Sequence, residues 1–374
     1  MKQVKPSFIG AKTLCALALM GAFSAQAQAQ TSSVTIYGRV VAGVDIMTNV
    51  PKTDGSGTTG TRIRAASNQW GTSMIGVKGT EDLGGGTNAF FLLESGFGST
   101  TGGLNGTDIN GTSLFNRRSY VGLSSANAGS LKLGKNLFIN NDVWFLDPTG
   151  QQWIGTANLV RGRNWPGASN VIEYTTPTFG GFGATVQTSL GEAAGSFSKG
   201  GTSTKYGRKD GLSLVYQNNG LELRGIYDVI RDANGRYTDV YDTSKELILG
   251  GTYKIDKLKM FLGYENLRAP DANTASGVPD RVNHYWLGAN YDVTPQFQLV
   301  GSVFHVNANN GNGSANLFMA GVNYFLSKRT LLYVGGGTMR NGNNANYSLE
   351  ADSSTGGGKG TNQTGGYFGI AHSF

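Results

Sequence analysis

Val34-Thr35-Ile36-Tyr37-Gly38-Arg39 near one end of the chain and Tyr367-Phe368-Gly369-Ile370-Ala371-His372-Ser373-Phe374 at the other decide the fold. Both alternate large apolar residues with small or polar ones, the period of a β-strand with two unlike faces. Further segments of this kind lie between them. In 182–190, Phe182, Ala184, Val186, Thr188 and Leu190 share one face, and in 257–265 Leu258, Met260, Leu262 and Tyr264 oppose Lys257, Lys259 and Glu265. Residues 1–29 read as a signal peptide: Lys2, Lys5 and Lys12 are basic, Thr13 to Phe23 is apolar, and Ala27-Gln28-Ala29 suits cleavage. Beyond it no apolar run approaches the roughly 20 residues of a membrane helix. An exported chain built this way satisfies its backbone in lipid only by closing its strands into a barrel.

The connections separate a membrane barrel from a soluble sandwich. Seven short ones fall at 81–85, 126–129, 177–180, 218–220, 255–257, 293–295 and 326–328. Eight long ones fall near 48–61, 98–113, 138–166, 192–206, 231–243, 268–281, 307–314 and 340–364. Fifteen connections join sixteen strands, with both termini on the short-turn side. Outer-membrane barrels segregate short periplasmic turns from longer external loops in this way, which puts loop tips such as Asn105 and Asn343 outside. The predicted fold is all-β: a 16-stranded antiparallel transmembrane β-barrel formed by a single domain, residues 30–374. At about that strand number side chains no longer fill the interior, and a water-filled channel is left.

Composition agrees. Once Lys2, Lys5 and Lys12 leave with the leader, 31 basic residues become 28 against 24 acidic ones, with no basic stripe of the kind that grips nucleic acid. Cys15 leaves too, so the mature chain carries neither disulfide nor thiolate metal site. The 58 glycines sit inside alternating segments such as Phe261-Leu262-Gly263-Tyr264, where they permit close backbone approach. His284, His305 and His372 are far apart, and no glycine-rich loop leads into a helix. No catalytic residue, cofactor or metal is called for.

Six stretches, in order and at matching spacing, carry a resemblance. They are Ser33-Val34-Thr35-Ile36-Tyr37-Gly38-Arg39, Gly76-Val77-Lys78-Gly79-Thr80-Glu81-Asp82-Leu83-Gly84 and Arg117-Arg118-Ser119-Tyr120-Val121-Gly122-Leu123, then Gly129-Ser130-Leu131-Lys132-Leu133-Gly134-Lys135, Tyr174-Thr175-Thr176-Pro177-Thr178-Phe179-Gly180-Gly181-Phe182 and His372-Ser373-Phe374. The mature chain resembles the general trimeric porins of Gram-negative outer membranes, most closely their β-proteobacterial branch. The resemblance implies a homotrimer in outer-membrane lipid that passes small hydrophilic solutes and ions. It also implies that the third long loop, 138–166, folds into the lumen, and that Phe374 is an assembly signal for the barrel-insertion machinery.

In such porins basic wall residues face acidic groups on that loop. Carried over, the basic side is Arg39, inward by parity with Thr35 and Tyr37, with Arg117 and then Arg163, or Arg161 as its alternate. The parity of Arg117 is ambiguous, because Ser119, Val121 and Leu123 share its side. Met74 stands where the family commonly has arginine, and Lys78, of the same parity, is a partial substitute. On the acidic side stand Asp142 and Asp147 of the loop and Glu94 of the wall, with Asn140, Asn141, Trp144, Gln151 and Gln152 nearby. Tyr120, Tyr174, Phe179, Phe182, Tyr285 and Phe374 are expected in interfacial girdles. A substrate-specific channel and a surface adhesin barrel are the rival functions.

Overall fold

The computed structural model describes residues 32–104, 113–150, 152–202, 204–351 and 353–374. The expected signal peptide 1–29, Asn105 and Gln151 lie outside the described residues. Seventeen strands form one antiparallel sheet. The first nine are β1 (Ser32–Pro51), β2 (Thr59–Ser67), β3 (Ser73–Gly84), β4 (Thr87–Phe97), β5 (Arg118–Ser125), β6 (Gly129–Leu137), β7 (Gly167–Thr175), β8 (Phe182–Ser189) and β9 (Tyr206–Asn218). The others are β10 (Leu221–Asp232), β11 (Lys245–Ile255), β12 (Leu258–Arg268), β13 (Arg281–Asp292), β14 (Phe297–Ala308), β15 (Gly313–Phe325), β16 (Thr330–Asn341) and β17 (Gln363–Ser373).

The sheet closes on itself. β17 returns to β1 in a register running from Arg39 opposite Ser373 to Met47 opposite Gly365. The terminal Phe374 extends this seam: its N–H donates to the Gly38 carbonyl and its carbonyl accepts from the Gly38 N–H, each at 3.1 Å. A side chain at Gly38 would place its Cβ 2.4 Å from the Phe374 ring, so glycine is what lets the ring lie across the first strand.

β2 and β3 both pair with β1, at opposite ends of it, and are two halves of one barrel stave. Seventeen strands therefore make sixteen staves. The stave breaks at 68–72, where Asn68 and Gly71 take left-handed φ of 66° and 86°. The Asn68 carboxamide oxygen accepts from the Ser73 N–H at 2.6 Å, and the Ser73 hydroxyl accepts from the Val41 N–H at 2.9 Å, which restarts the ladder. β2 and β3 stand on either side of a turn-like Asn-Gln-Trp-Gly-Thr run, and this break is a feature the strand tally did not contain.

One face of each stave is apolar and uncovered. Val34 and Ile36 are 67% and 65% exposed, and Val121, Leu123, Leu262 and Leu287 point outward with them, while the intervening residues face the interior. This is the pattern of strands that meet lipid on one side only. Seven tight turns gather at one end and the longer connections at the other, with one correction: the connection expected at 307–314 is a four-residue turn, 309–312, because β14 runs on to Ala308 and β15 resumes at Gly313. Asn310 and Gly311, at φ 58° and 75°, make that reversal possible.

Candidate pore constriction

The segment between β6 and β7, residues 138–166, packs against the face of the staves opposite the uncovered apolar one. It begins with a 3₁₀ turn (Ile139–Phe145) and contains one helical turn (Thr156–Leu159). Val143, Leu146, Ile154, Leu159 and Val160 are fully buried, which a loop standing in solvent does not achieve. Its attachments run round half the barrel. Asp142 Oδ2 accepts from Ser213 of β9 at 2.9 Å and from Arg224 of β10 at 2.8 Å. Arg163 donates to Asp228 of β10 at 2.7 Å, to Glu246 of β11 at 3.0 Å and to the Ser244 hydroxyl at 2.8 Å. Trp286 of β13 donates its indole N–H to the Leu146 carbonyl at 2.8 Å, and Tyr367 of β17 donates to Gln152 at 2.8 Å. Gly288 of β13 is needed here, since a Cβ there would stand 2.3 Å from Pro148.

Because the segment is fastened to the β9–β17 side, the space left open lies along β1 and β3–β8. There it forms a cavity of about 790 Å³. Four cationic side chains line it, Arg39, Arg117, Arg118 and Lys132, against two carboxylates, Asp142 and Glu173. Both carboxylates are engaged, Glu173 by Lys132 at 2.5 Å and Asp142 by Arg224. Glu94 of β4 stands behind the arginines, fully buried, and accepts from Arg117 at 2.8 Å, from Arg118 at 3.4 Å and from the Tyr37 hydroxyl at 2.8 Å. Arg39 has no ion pair among the described residues: its Nε donates to the Thr72 carbonyl at 3.1 Å, and its terminal nitrogens have no acceptor among them. The broken stave supplies that carbonyl, and Trp70 lies 5.8 Å from the Arg39 guanidinium. Trp70 is held by Asn323 of β15 at 3.1 Å.

The structure thus brings Arg39, Arg117, Met74 and Asp142 to one cavity, with Glu94 immediately behind. Three expectations need correction. Asp147 is 2% exposed and does not face the passage; its two oxygens accept from Thr149 and Thr156, N–H and hydroxyl in each case, at 2.8–2.9 Å. It staples the loop to itself. Arg163 is likewise 2% exposed, anchoring the loop to the wall instead of lining the passage, while Arg161 stacks at 4.4 Å over Tyr241. Lys78 shares the face of Met74 but lies outside the cavity lining, 5.4 Å from the Tyr37 ring, too far along β3 to replace an arginine at 74.

Arg118 and Lys132 are additions. β5 begins at Arg118, and Val121 and Leu123 are lipid-facing, so the even positions Arg118 and Tyr120 point inward. Arg117 precedes the strand and reaches the same space from the loop, which removes the parity conflict. Tyr120 accordingly lines the cavity, edge-on to Phe90 at 6.2 Å, and is no girdle residue. The alternation of Val121 and Leu123 was the signal that identifies Arg118.

Residues 15–344 match the family model described as Gram-negative porin. Outer membrane porin protein 32 of Delftia acidovorans is 31% identical over 387 residues, covering 97% of this chain and 99% of that one. Among solved structures, an anion-selective porin from Comamonas acidovorans aligns with a TM-score of 0.75 at 27% identity, over 92% of this chain and all of that one. OmpT of Vibrio cholerae, solved in a trimer form, aligns over 92% of this chain and all of that one at a TM-score of 0.64 and 15% identity, a likeness of fold. With a closed barrel of sixteen staves, an apolar outer face and a charged interior passage, the chain belongs to the Gram-negative porin family and is a channel of the bacterial outer membrane.

Proposed function

We propose that this channel is a homotrimeric general porin for small hydrophilic solutes, with a preference for anions set at the 138–166 constriction. The observation that carries the reading is the charge imbalance of the passage lining: four cationic side chains against two carboxylates, with Arg39 in no ion pair among the described residues. Fixed charges on the wall of a narrow, partly low-dielectric passage act more strongly than in bulk water. Met74 removes one positive site from the second stave, and Arg118 offsets that loss. The anion selectivity of the Comamonas acidovorans porin supports the same sign. Trimeric assembly rests on the family resemblance, and residues 1–29 act as the export leader. Passage needs no conformational cycle: size and charge at the constriction do the sorting.

The test is the reversal potential of the purified protein in a planar bilayer across a dilute potassium chloride gradient. A value on the chloride side, shrinking in molar salt where the screening length is about 3 Å, is the expected result. Conductance steps arriving in threes report the trimer. A potassium-side reversal potential overturns the anion preference.

A further inference from the structure

The cavity holds more than cations. Trp144 and Phe145, at the end of the 3₁₀ turn, line it with 45% and 41% of their surfaces uncovered. Trp144 is the one exposed tryptophan among the described residues. The two rings meet edge-on at 6.5 Å, and the Arg224 guanidinium lies 4.3 Å from the Phe145 ring centroid. Trp144 touches no other ring among the described residues. The neighbouring side chains of this segment, Val143 and Leu146, are buried completely, so the chain does bury apolar groups here where they have partners. An indole left open to a water-filled passage, beside guanidiniums with unused donors, is a surface of two chemistries.

We infer that the passage contains a weak binding site for aromatic monocarboxylates, the carboxylate on Arg39, Arg117 and Arg118 and the ring against Trp144 and Phe145. This deepens the anion-preferring reading above and rests on it. The donors are in place: both terminal nitrogens of Arg39 and Nη2 of Arg117 have no acceptor among the described residues, while Nε and Nη1 of Arg117 are fixed by Glu94 and Thr72. Arg39, held through Nε alone, presents its two terminal nitrogens as a planar fork that matches a carboxylate, and Arg117 adds a single donor, Nη2. Chloride can use the fork but gains nothing from the indole. An aromatic acid uses both, through ring stacking on the loop. Met74, on the arginine wall of the same cavity, adds apolar surface where a further arginine would have added a charge. The cavity, at about 790 Å³, has room for a small aromatic acid and its water. Binding in a channel must stay weak enough for release, so the ligand would be enriched in the passage and still leave it.

Benzoate and acetate, added separately to single channels carrying chloride current, test this. The readout is the ratio of the half-blocking concentrations in one and the same channel. In the natural protein benzoate should block at a concentration roughly fivefold or more below acetate. Trp144→Ala should bring that ratio towards one, and Trp144→Phe should keep most of it. Arg39→Ala should raise both blocking concentrations together and leave the ratio standing. Equal block by benzoate and acetate in the natural protein overturns the aromatic site, as does an unchanged ratio in Trp144→Ala. The chloride reversal potential of the same channels is read alongside: on the chloride side with a ratio near one, only this inference fails, whereas a potassium-side value sinks the anion preference itself.

Discussion

Arg163 Nη2 and Asp228 Oδ1 lie 2.7 Å apart with both side chains withdrawn from solvent, one on the loop and one on β10. With Glu246 at 3.0 Å, the guanidinium is the clasp that holds residues 138–166 to the wall. Truncating one partner of such a buried pair leaves the others uncompensated, at a cost of about 3–5 kcal/mol. Arg163→Ala should therefore expose the loop to limited proteolysis and lower the temperature at which the folded barrel survives detergent. Arg163→Lys should rescue only part of this, since a single ammonium cannot reach Asp228, Glu246 and Ser244 with the geometry of a planar fork. Wild-type protease resistance in Arg163→Ala would refute the clasp.

Asp147→Asn should leave ion selectivity nearly where it is. The carboxylate is spent on four donors inside the loop, so the substitution acts on loop order before it acts on the passage. Noisier single-channel current with a reversal potential moved far less than by Arg39→Ala is the expected pair of results. A shift as large as that of Arg39→Ala would return Asp147 to the pore wall.

Arg118→Ala should lower the relative permeability of anions, and Met74→Arg should raise it, both measured as reversal potentials in dilute salt. Arg118 on β5 and Met74 on β3 border the same cavity from staves on either side of β4. Salt screens both effects, so each should shrink at molar ionic strength. If Arg118→Ala leaves the reversal potential in place, the inward assignment of the even positions in β5 is wrong.

Removing Phe374 should reduce the yield of folded protein, because two backbone hydrogen bonds to Gly38 and the ring across β1 go together. Phe374→Ala keeps the backbone pair and removes the ring alone. A fall in assembled protein in cells, with normal refolding in detergent, would assign the ring to recognition by the insertion machinery; a fall in both would assign it to the seam. Full yields of both variants would exclude either role.

Glu350, in the connection between β16 and β17, reaches Arg62 of β2 at 2.9 Å and pairs with Arg64. Burial would raise its carboxyl, but the two guanidiniums outweigh that and hold it below the ordinary glutamate range. A depressed carboxylate pKa contributes stability that is present above the unfolded value, about 4.3, and is lost as the pH falls through the folded one. Protease access to residues 342–362 should accordingly rise below about pH 4 and be high at neutral pH in Glu350→Gln. A pH-independent profile for the natural protein would rule out the latch.

What the sequence made legible follows from periodicity. Val34 and Ile36 opposite Arg39 fixed the face of β1, and the grouping of tight turns fixed the stave number. The stave break at 68–72 was hidden, because strands on both sides keep an unbroken alternation. Asp147 was misassigned for a related reason: its donors, Thr149 and Thr156, are close in sequence, and spacing does not reveal which carboxylate on an irregular segment turns inward. Arg163 and Asp228 are 65 residues apart, and only the closed barrel brings them together. Trp144 could be read as a loop aromatic, but its exposure depends on which neighbours the segment meets.

The attachments of residues 138–166 to β9, β10, β11, β13 and β17 have a mechanical side. A hollow cylinder one sheet thick resists stretching along its ladder far better than it resists being squashed into an oval. A strut pinned at several points across one half of the circumference carries load between staves that do not touch. The aperture is then governed by the cross-section of the entire cylinder. Loosening a distant pin, at Trp286 or Tyr367, would let the outline breathe and vary the width of the passage even with every arginine still in its place.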